Sequence, residues 1–395
     1  MCRIRRQEMF KIQTRNKISP VGLELFDRKE YEVADEISAA DALLLRSYKI
    51  QENEIETSVK AIARAGAGVN NIPVETCTDR GIVVFNTPGA NANSVKELVI
   101  AGMLLSARRI HEGMSWIEGQ TADENLAKTV EKEKSNFAGT EISGKTLGVI
   151  GLGAIGGLVA NAGLSLGMEV YGYDPYISIP GAWNLSNSVK ICENLNKLME
   201  ICDYVSIHVP LLPATKNLIN AENLKNAKAG LRILNFARGG LVEESAVKLA
   251  LEAGTISYYI TDFPSADLLG VKGVLSIPHL GASTAEAEEN CAVMAANQLM
   301  DFLNNGNIKN SVNFPACSLD SAGGPRLIAA AKNNPELLKQ ILTILSEEGI
   351  TTGEMISKER GDTAYTIINI SDSEVNKKTM ERISSLKGVL ISREL

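Results

Sequence analysis

The chain has 395 residues, 45% of them hydrophobic and 22% charged, and a net charge of −7. That length holds two or three domains, and the acidic balance argues against a nucleic-acid or membrane-surface role. No apolar run approaches the length needed to span a membrane.

The start, MCRIRRQEMFKIQTRNK, is basic and lacks the apolar core of a secretory signal. Beyond it, three β-type runs stand out, 41–46 (DALLLR), 59–64 and 81–85 (GIVVF). Alternation of such runs with helical stretches predicts a parallel, doubly wound sheet. Ligands bind such sheets at the carboxyl ends of the strands. The loops 46–47, 65–69 and 86–89 are therefore candidate rims of a cleft. A helix is expected from about 93 to 107, opened by a capping box of Ser94 and Glu97. The polar stretch 112–134 reads as a solvated loop or helix.

The most informative stretch is 145–174, KTLGVIGLGAIGGLVANAGLSLGMEVYGYD. An apolar run at 146–150 predicts a buried strand, 154–166 a helix rich in small residues, and 169–173 a second strand. Gly151, Gly153 and Gly156 fall at G-x-G-x-x-G spacing, and Asp174 lies eighteen residues beyond the last of them. In strand–turn–helix–strand context this is a dinucleotide site. The glycines allow a tight turn, a close backbone approach to pyrophosphate, and close helix packing. The helix start offers free N–H groups and partial positive charge to the phosphates. Asp174 accepts hydrogen bonds from a ribose 2′-OH and repels a 2′-phosphate, which favours NAD over NADP.

Further strands are expected at 203–209, 231–236, 257–262 and 274–278. Their ends carry His208-Val209-Pro210, Ala237-Arg238-Gly239-Gly240, Asp262 and Pro278-His279-Leu280-Gly281. A guanidinium such as Arg238 presents a planar fork suited to a carboxylate and a neighbouring carbonyl oxygen. Hydride transfer to a ketone needs a proton for the oxygen, and a histidine titrates near working pH. There are three histidines; His279 has that strand-end setting, and His111 and His208 read as structural. A helix capped by Ser283 and Glu286 runs to about 304. After a Gly/Pro linker at 321–325 comes a βαββαβ block: strand 327–332, helix 335–348, strands 352–357 and 364–370, helix 373–386 and strand 389–392. The six cysteines, Cys2, Cys77, Cys192, Cys202, Cys291 and Cys317, form no C-x-x-C pair, so no zinc or other metal site is expected. They read as buried free thiols in a reducing cytoplasm.

The succession LGVIGLGAIG, YDP, HVPL, NFARGG, TDF and PHLGAST resembles the D-2-hydroxyacid dehydrogenases. With the closing block, which resembles an ACT regulatory domain, the chain is similar to the phosphoglycerate-oxidising branch of that family. The resemblance implies an α/β fold: two doubly wound parallel-sheet domains (Rossmann- and flavodoxin-like) and a small ferredoxin-like βαββαβ domain. It implies a substrate domain at 1–92 completed by 283–318, a NAD domain at 93–282, a linker at 319–325 and an ACT-like domain at 326–395. The implied activity is NAD-dependent oxidation of a phosphorylated 2-hydroxy acid, the first step of phosphorylated serine synthesis, by a cytoplasmic homodimer or homotetramer. Another 2-hydroxyacid dehydrogenase, such as a hydroxypyruvate or glyoxylate reductase, and a NAD-sensing binding protein on the same fold stand as alternatives.

By the same resemblance Arg238 binds the substrate carboxylate, His279 is the acid–base group, and Asp267 pairs with it. The family's D-V-F-x-x-E is here Asp262-Phe263-Pro264-Ser265-Ala266-Asp267; if the missing valine is a deletion, Ala266 takes the glutamate's place. The implied cofactor residues are Gly151, Gly153, Ala154 (in place of a usual arginine), Ile155, Gly156, Asp174, Val209, Phe236, Ala237, Asp262 and Gly281. The implied substrate contacts are Arg46, Ser47, Ala67, Gly68, Asn93 and Ser94. The ACT-like block departs from the serine-binding pattern H-x-N-x-P-G, reading Ala331-Lys332-Asn333-Asn334-Pro335-Glu336, with Thr351 in place of a usual asparagine.

Overall fold

The computed structural model describes residues 9–371 and 374–395. Cys2, with the rest of residues 1–8 of the basic start, and Ser373, the expected opening of the last helix, lie outside the described residues. The chain divides into two compact units, 1–90 with 288–395, and 91–287.

In the first unit, β1 (Phe10–Arg15), β2 (Tyr31–Ala34), β3 (Ala42–Leu45), β4 (Ala61–Arg64) and β5 (Val83–Phe85) form a parallel sheet in the order β2-β1-β3-β4-β5. That is the flavodoxin order. Both faces are covered, so β3 is apolar at every position. Ala42 and Leu44 enter the core built with the helix Ala285–Asn305, whereas Leu43 and Leu45 enter the core on the opposite face. β1 and β2 escape a search for apolar runs because β1 alternates: within FKIQTR, Ile12 and Thr14 are buried and the residues between them are not.

The second unit carries β6 (Thr146–Ile150), β7 (Glu169–Tyr173), β8 (Lys190–Ile191), β9 (Tyr204–Ile207), β10 (Leu231–Asn235), β11 (Ile256–Thr261) and β12 (Val274–Ser276). The order β12-β11-β10-β9-β6-β7-β8 reverses between β6 and β9, the topological switch at which dinucleotides bind. β6 and β7 have the bounds expected from sequence; β8 is two exposed edge residues with no sequence signal. The helix Ala92–Arg108 lies against this sheet through Gly102, where a Cβ would stand 3.2 Å from Ile260, Leu234 and Phe236. The expected capping box is not formed. Asn91 is the N-cap, and Ser94 is buried and donates to the Gly281 carbonyl at 2.7 Å. Likewise Thr284, not Ser283, accepts from the N–H of Ala287 at the head of the long helix.

The closing block is an antiparallel sheet of β13 (Arg326–Lys332), β14 (Thr351–Arg360), β15 (Thr363–Ser371) and β16 (Val389–Glu394) in the order β14-β15-β13-β16. The block has the βαββαβ order and a core of its own expected from sequence, and it also shares a core with the five-stranded sheet. Leu327, Ala329 and Ala331 face its own helices, Leu337–Glu347 and Lys377–Ser384. Ile328, Ala330, Tyr365 and Ile367 face the five-stranded sheet's core. Arg326, 3% exposed, pins the junction. It donates to Asn369 Oδ1 (2.8 Å) and to the carbonyls of Asn305 (2.7 Å), Leu319 (2.6 Å) and Asp320 (2.7 Å). The Tyr365 hydroxyl donates to the Gly306 carbonyl at 2.7 Å, and the Arg393 guanidinium lies 4.2 Å over the Phe302 ring while bonding the Phe302 carbonyl.

Arg326→Leu leaves the buried Asn369 Oδ1 and three partly buried carbonyls without this donor and is expected to cost about 3 kcal/mol. Urea unfolding of the variant measures it; a midpoint equal to that of the parent protein contradicts the pinning role.

Candidate active site

The site in the second unit begins at the carboxyl end of β6. Gly151 turns the chain at φ +86°, and a Cβ there would stand 2.8 Å from the His208 carbonyl oxygen and Val209 Cγ1. At Gly156 a Cβ would overlap the Gly151 carbonyl oxygen. At Gly153, the N-cap of the helix Ala154–Ser165, nothing lies within 4 Å of a Cβ. No side chain caps that helix, so its first N–H groups face the open space over Gly153 and the exposed Ala154. Ile155 turns inward against the core.

Asp174 follows β7. Its Oδ2 accepts from the N–H of Leu152 at 2.8 Å and its Oδ1 from the N–H of Tyr176 at 2.9 Å. Each oxygen keeps a further lone pair, so the acid both fixes the glycine turn and can accept from a ribose. An uncapped helix start over an open glycine, flanked by this acid, fits a dinucleotide. A further sign of fit is Asp262 Oδ1, buried without a partner among the described residues.

The candidate reacting residues lie at the ends of β10, β11 and β12. Asp262 is fully buried, and its Oδ2 accepts from the N–H of Gly281 at 3.1 Å. Burial raises its pKa above the ordinary carboxylate value, opposed by the charges of His279 and Arg238. His279 is exposed, its ring 4.7 Å from that of Phe263. Arg238 is also exposed, with Nη1 donating to the Ala237 carbonyl at 2.7 Å. Asp267 is exposed on the loop after Phe263 and makes no hydrogen bond or ion pair with His279. Val209 lies against Gly151, whereas the Phe236 side chain, 5% exposed, is taken into the core beneath Gly102. Only its backbone is left for a cofactor. Asn93 is exposed and bonds Glu97 and Lys96.

In the first unit, Arg46, Ser47, Ala67 and Gly68 follow β3 and β4. Arg46 Nη1 pairs with Glu288 at 2.6 Å, and the Arg46 carbonyl accepts from Arg64 Nε at 3.0 Å. The Ala67 carbonyl accepts from Asn86 Nδ2 at 2.6 Å. Arg64 was not singled out from sequence; at the last position of an apolar strand, nothing local distinguishes it from an ordinary strand-end charge.

His208, read as structural, has Nε2 2.8 Å from Ser206 Oγ and a buried Nδ1 without a partner among the described residues. Its pKa is lowered by burial to about 3.

Residues 100–281 match the NAD binding domain of the D-isomer specific 2-hydroxyacid dehydrogenases. The chain is 36% identical over 345 residues to a D-3-phosphoglycerate dehydrogenase of Methanocaldococcus jannaschii, covering 84% of this chain and 63% of that protein. It is 35% identical over 331 residues to the D-3-phosphoglycerate dehydrogenase of a Synechocystis species, covering 79% of this chain and 57% of that protein. The chain thus spans less than two thirds of the length of these relatives. Among solved structures, NAD+-bound 3-phosphoglycerate dehydrogenase of Entamoeba histolytica matches with a TM-score of 0.60 at 28% identity, over 77% of this chain and 99% of that one.

Two glycine variants separate packing from cofactor binding. Gly156→Ala is expected to destabilise the fold by about 1–3 kcal/mol and to abolish NADH binding. Gly153→Ala is expected to change stability by under about 1 kcal/mol while NADH affinity falls at least about tenfold. Fluorescence titration and urea unfolding read the two quantities; equal losses in both variants contradict the assignment. His208 sets a second expectation. Below its unfolded pKa of about 6.5 the unfolded chain gains a proton that the folded ring refuses down to about pH 3. Stability is therefore lost as pH falls through that window. In His208→Gln the slope of stability against pH there should be smaller by one proton; an unchanged slope contradicts it.

Proposed function

We propose, on the premise that this chain belongs to the D-isomer specific 2-hydroxyacid dehydrogenase family, that it is a NAD-dependent oxidoreductase acting on a 2-hydroxy acid. More narrowly, it oxidises 3-phospho-D-glycerate to 3-phosphohydroxypyruvate, the first step of phosphorylated serine synthesis. The observation that carries this reading is the grouping of Arg238 and His279 around the buried Asp262 at the switch end of a dinucleotide sheet. Bound NAD supplies the hydride acceptor. The Arg238 fork holds the substrate carboxylate and polarises the reacting oxygen. His279 takes the hydroxyl proton in oxidation and returns it in reduction. Asp267, exposed on its loop, is the proposed carboxylate partner that orients His279 when substrate is bound.

The phosphate of the substrate needs basic contacts, for which Arg46, with Arg64 beside its backbone, is proposed. Ser47, Ala67, Gly68, Asn93 and Ser94 remain the proposed neighbours of that substrate. A second copy of the chain is the proposed cover for the helix Ile110–Glu118, where Ile110, Met114 and Ile117 stand exposed at helical spacing. The reducing cytoplasm is the proposed compartment, in keeping with five buried free cysteines.

The test is NADH consumption with 3-phosphohydroxypyruvate, hydroxypyruvate and glyoxylate. A strong preference for the phosphorylated acid is expected. Arg238→Ala should lower kcat/KM by about 10²–10³ with NADH affinity unchanged. Equal turnover of the unphosphorylated acids sinks the narrower reading. No turnover of any acid, with NADH still bound, leaves a NAD-sensing binding protein.

A further inference from the structure

One polar residue of the second unit is buried just beneath Arg238 and takes no part in the chemistry above. Asn235, the last residue of β10, is 1% exposed. Its Nδ2 donates to the Arg238 carbonyl at 2.9 Å and to the Tyr259 hydroxyl at 3.2 Å. Its Oδ1 lies 3.3 Å from the N–H of Ala237, which donates to it. The amide is therefore wrapped by the loop that carries Arg238, and both of its amide hydrogens are used.

Tyr259 sits on β11, 3% exposed, in register with Ile233 of β10. Its hydroxyl also bears on Thr261. Thr261 Oγ1 accepts from the N–H of Phe263 at 3.0 Å, and the Phe263 ring lies against His279. Hydrogen bonds thus join the Arg238 loop to Asn235 and Tyr259, and two residues on from Tyr259 in β11 Thr261 holds the N–H of Phe263, whose ring lies against His279. Buried hydroxyl and amide groups carry a desolvation penalty that an apolar pair of similar volume would avoid. Here the Asn235 amide bonds the loop backbone that carries Arg238, and the Tyr259 hydroxyl accepts from that amide.

We propose that Asn235 and Tyr259 are positioning residues that lock the Arg238 loop and thereby set capture of the substrate carboxylate. The inference rests on the assignment of Arg238 to that carboxylate. Tyr259→Phe keeps the ring and removes the hydroxyl. One net hydrogen bond corresponds to a rise in KM for the 2-keto acid of about threefold to tenfold, with kcat and NADH affinity within about twofold. In an Arg238→Lys background the same change should add nothing, because the fork that the loop aims is gone. Equal factors in both backgrounds, or a parallel loss of NADH affinity, overturn the proposal.

A second measurement does not depend on turnover. Hydrogen exchange followed by mass spectrometry should show faster exchange of the amides of 236–239 in Tyr259→Phe, with those of β6 unchanged. Unchanged exchange in the loop overturns the proposal. Absence of turnover in the parent protein would instead sink the functional reading, and the exchange result would still decide whether the pair holds the loop.

Discussion

The second unit is built around one close approach, the Gly151 carbonyl oxygen set against Gly156 with no room for a side chain. That approach brings the head of the helix Ala154–Ser165 down onto the end of β6. Its uncapped N–H groups consequently face outward over Gly153. It also sets the turn that Asp174 clasps through the N–H of Leu152. A bulkier residue at either glycine would lift the helix, release the acid and open the His208–Val209 segment packed on Gly151. The cradle and the local stability of the sheet therefore rest on the same atoms.

Charge is handled differently at the two ends of the chemistry. Arg238 and His279 are exposed, while Asp262, whose carboxylate feels both their charges, is buried, and burial raises its pKa. Asp262 is kept in place by the N–H of Gly281, and the carbonyl of Gly281 is held by Ser94. Ser94 thus ties the loop bearing His279 to the helix Ala92–Arg108. The hydroxyl read from sequence as a helix cap does its work across the tertiary structure.

The closing sheet shows how a familiar topology can serve a different packing role. Its order and its two helices match the βαββαβ reading. Its second face, however, is used up against the helix Ala285–Asn305 and the five-stranded sheet. With Arg326, Tyr365 and Arg393 anchored to backbone carbonyls around residues 302–320, the block is continuous with the unit that carries Arg46. The local signature that suggests an appended domain, a Gly/Pro linker followed by a new alternation, carries no information about which face is buried against what.

The sequence by itself determined the parallel α/β class, the bounds of β6 and β7, the glycine cradle with its acid, and the strand-end placing of Arg238, Asp262 and His279. Each of these depends on local chemistry: an apolar run, a glycine spacing, a polar residue just past a strand. Only the tertiary structure decided that Ser94 bonds Gly281, that Phe236 belongs to the core, and that Asn235 and Tyr259 meet beneath the Arg238 loop. Those outcomes depend on which residues distant in the chain are brought within about 3 Å, the reach of a hydrogen bond. Neither the spacing nor the type of a residue specifies that.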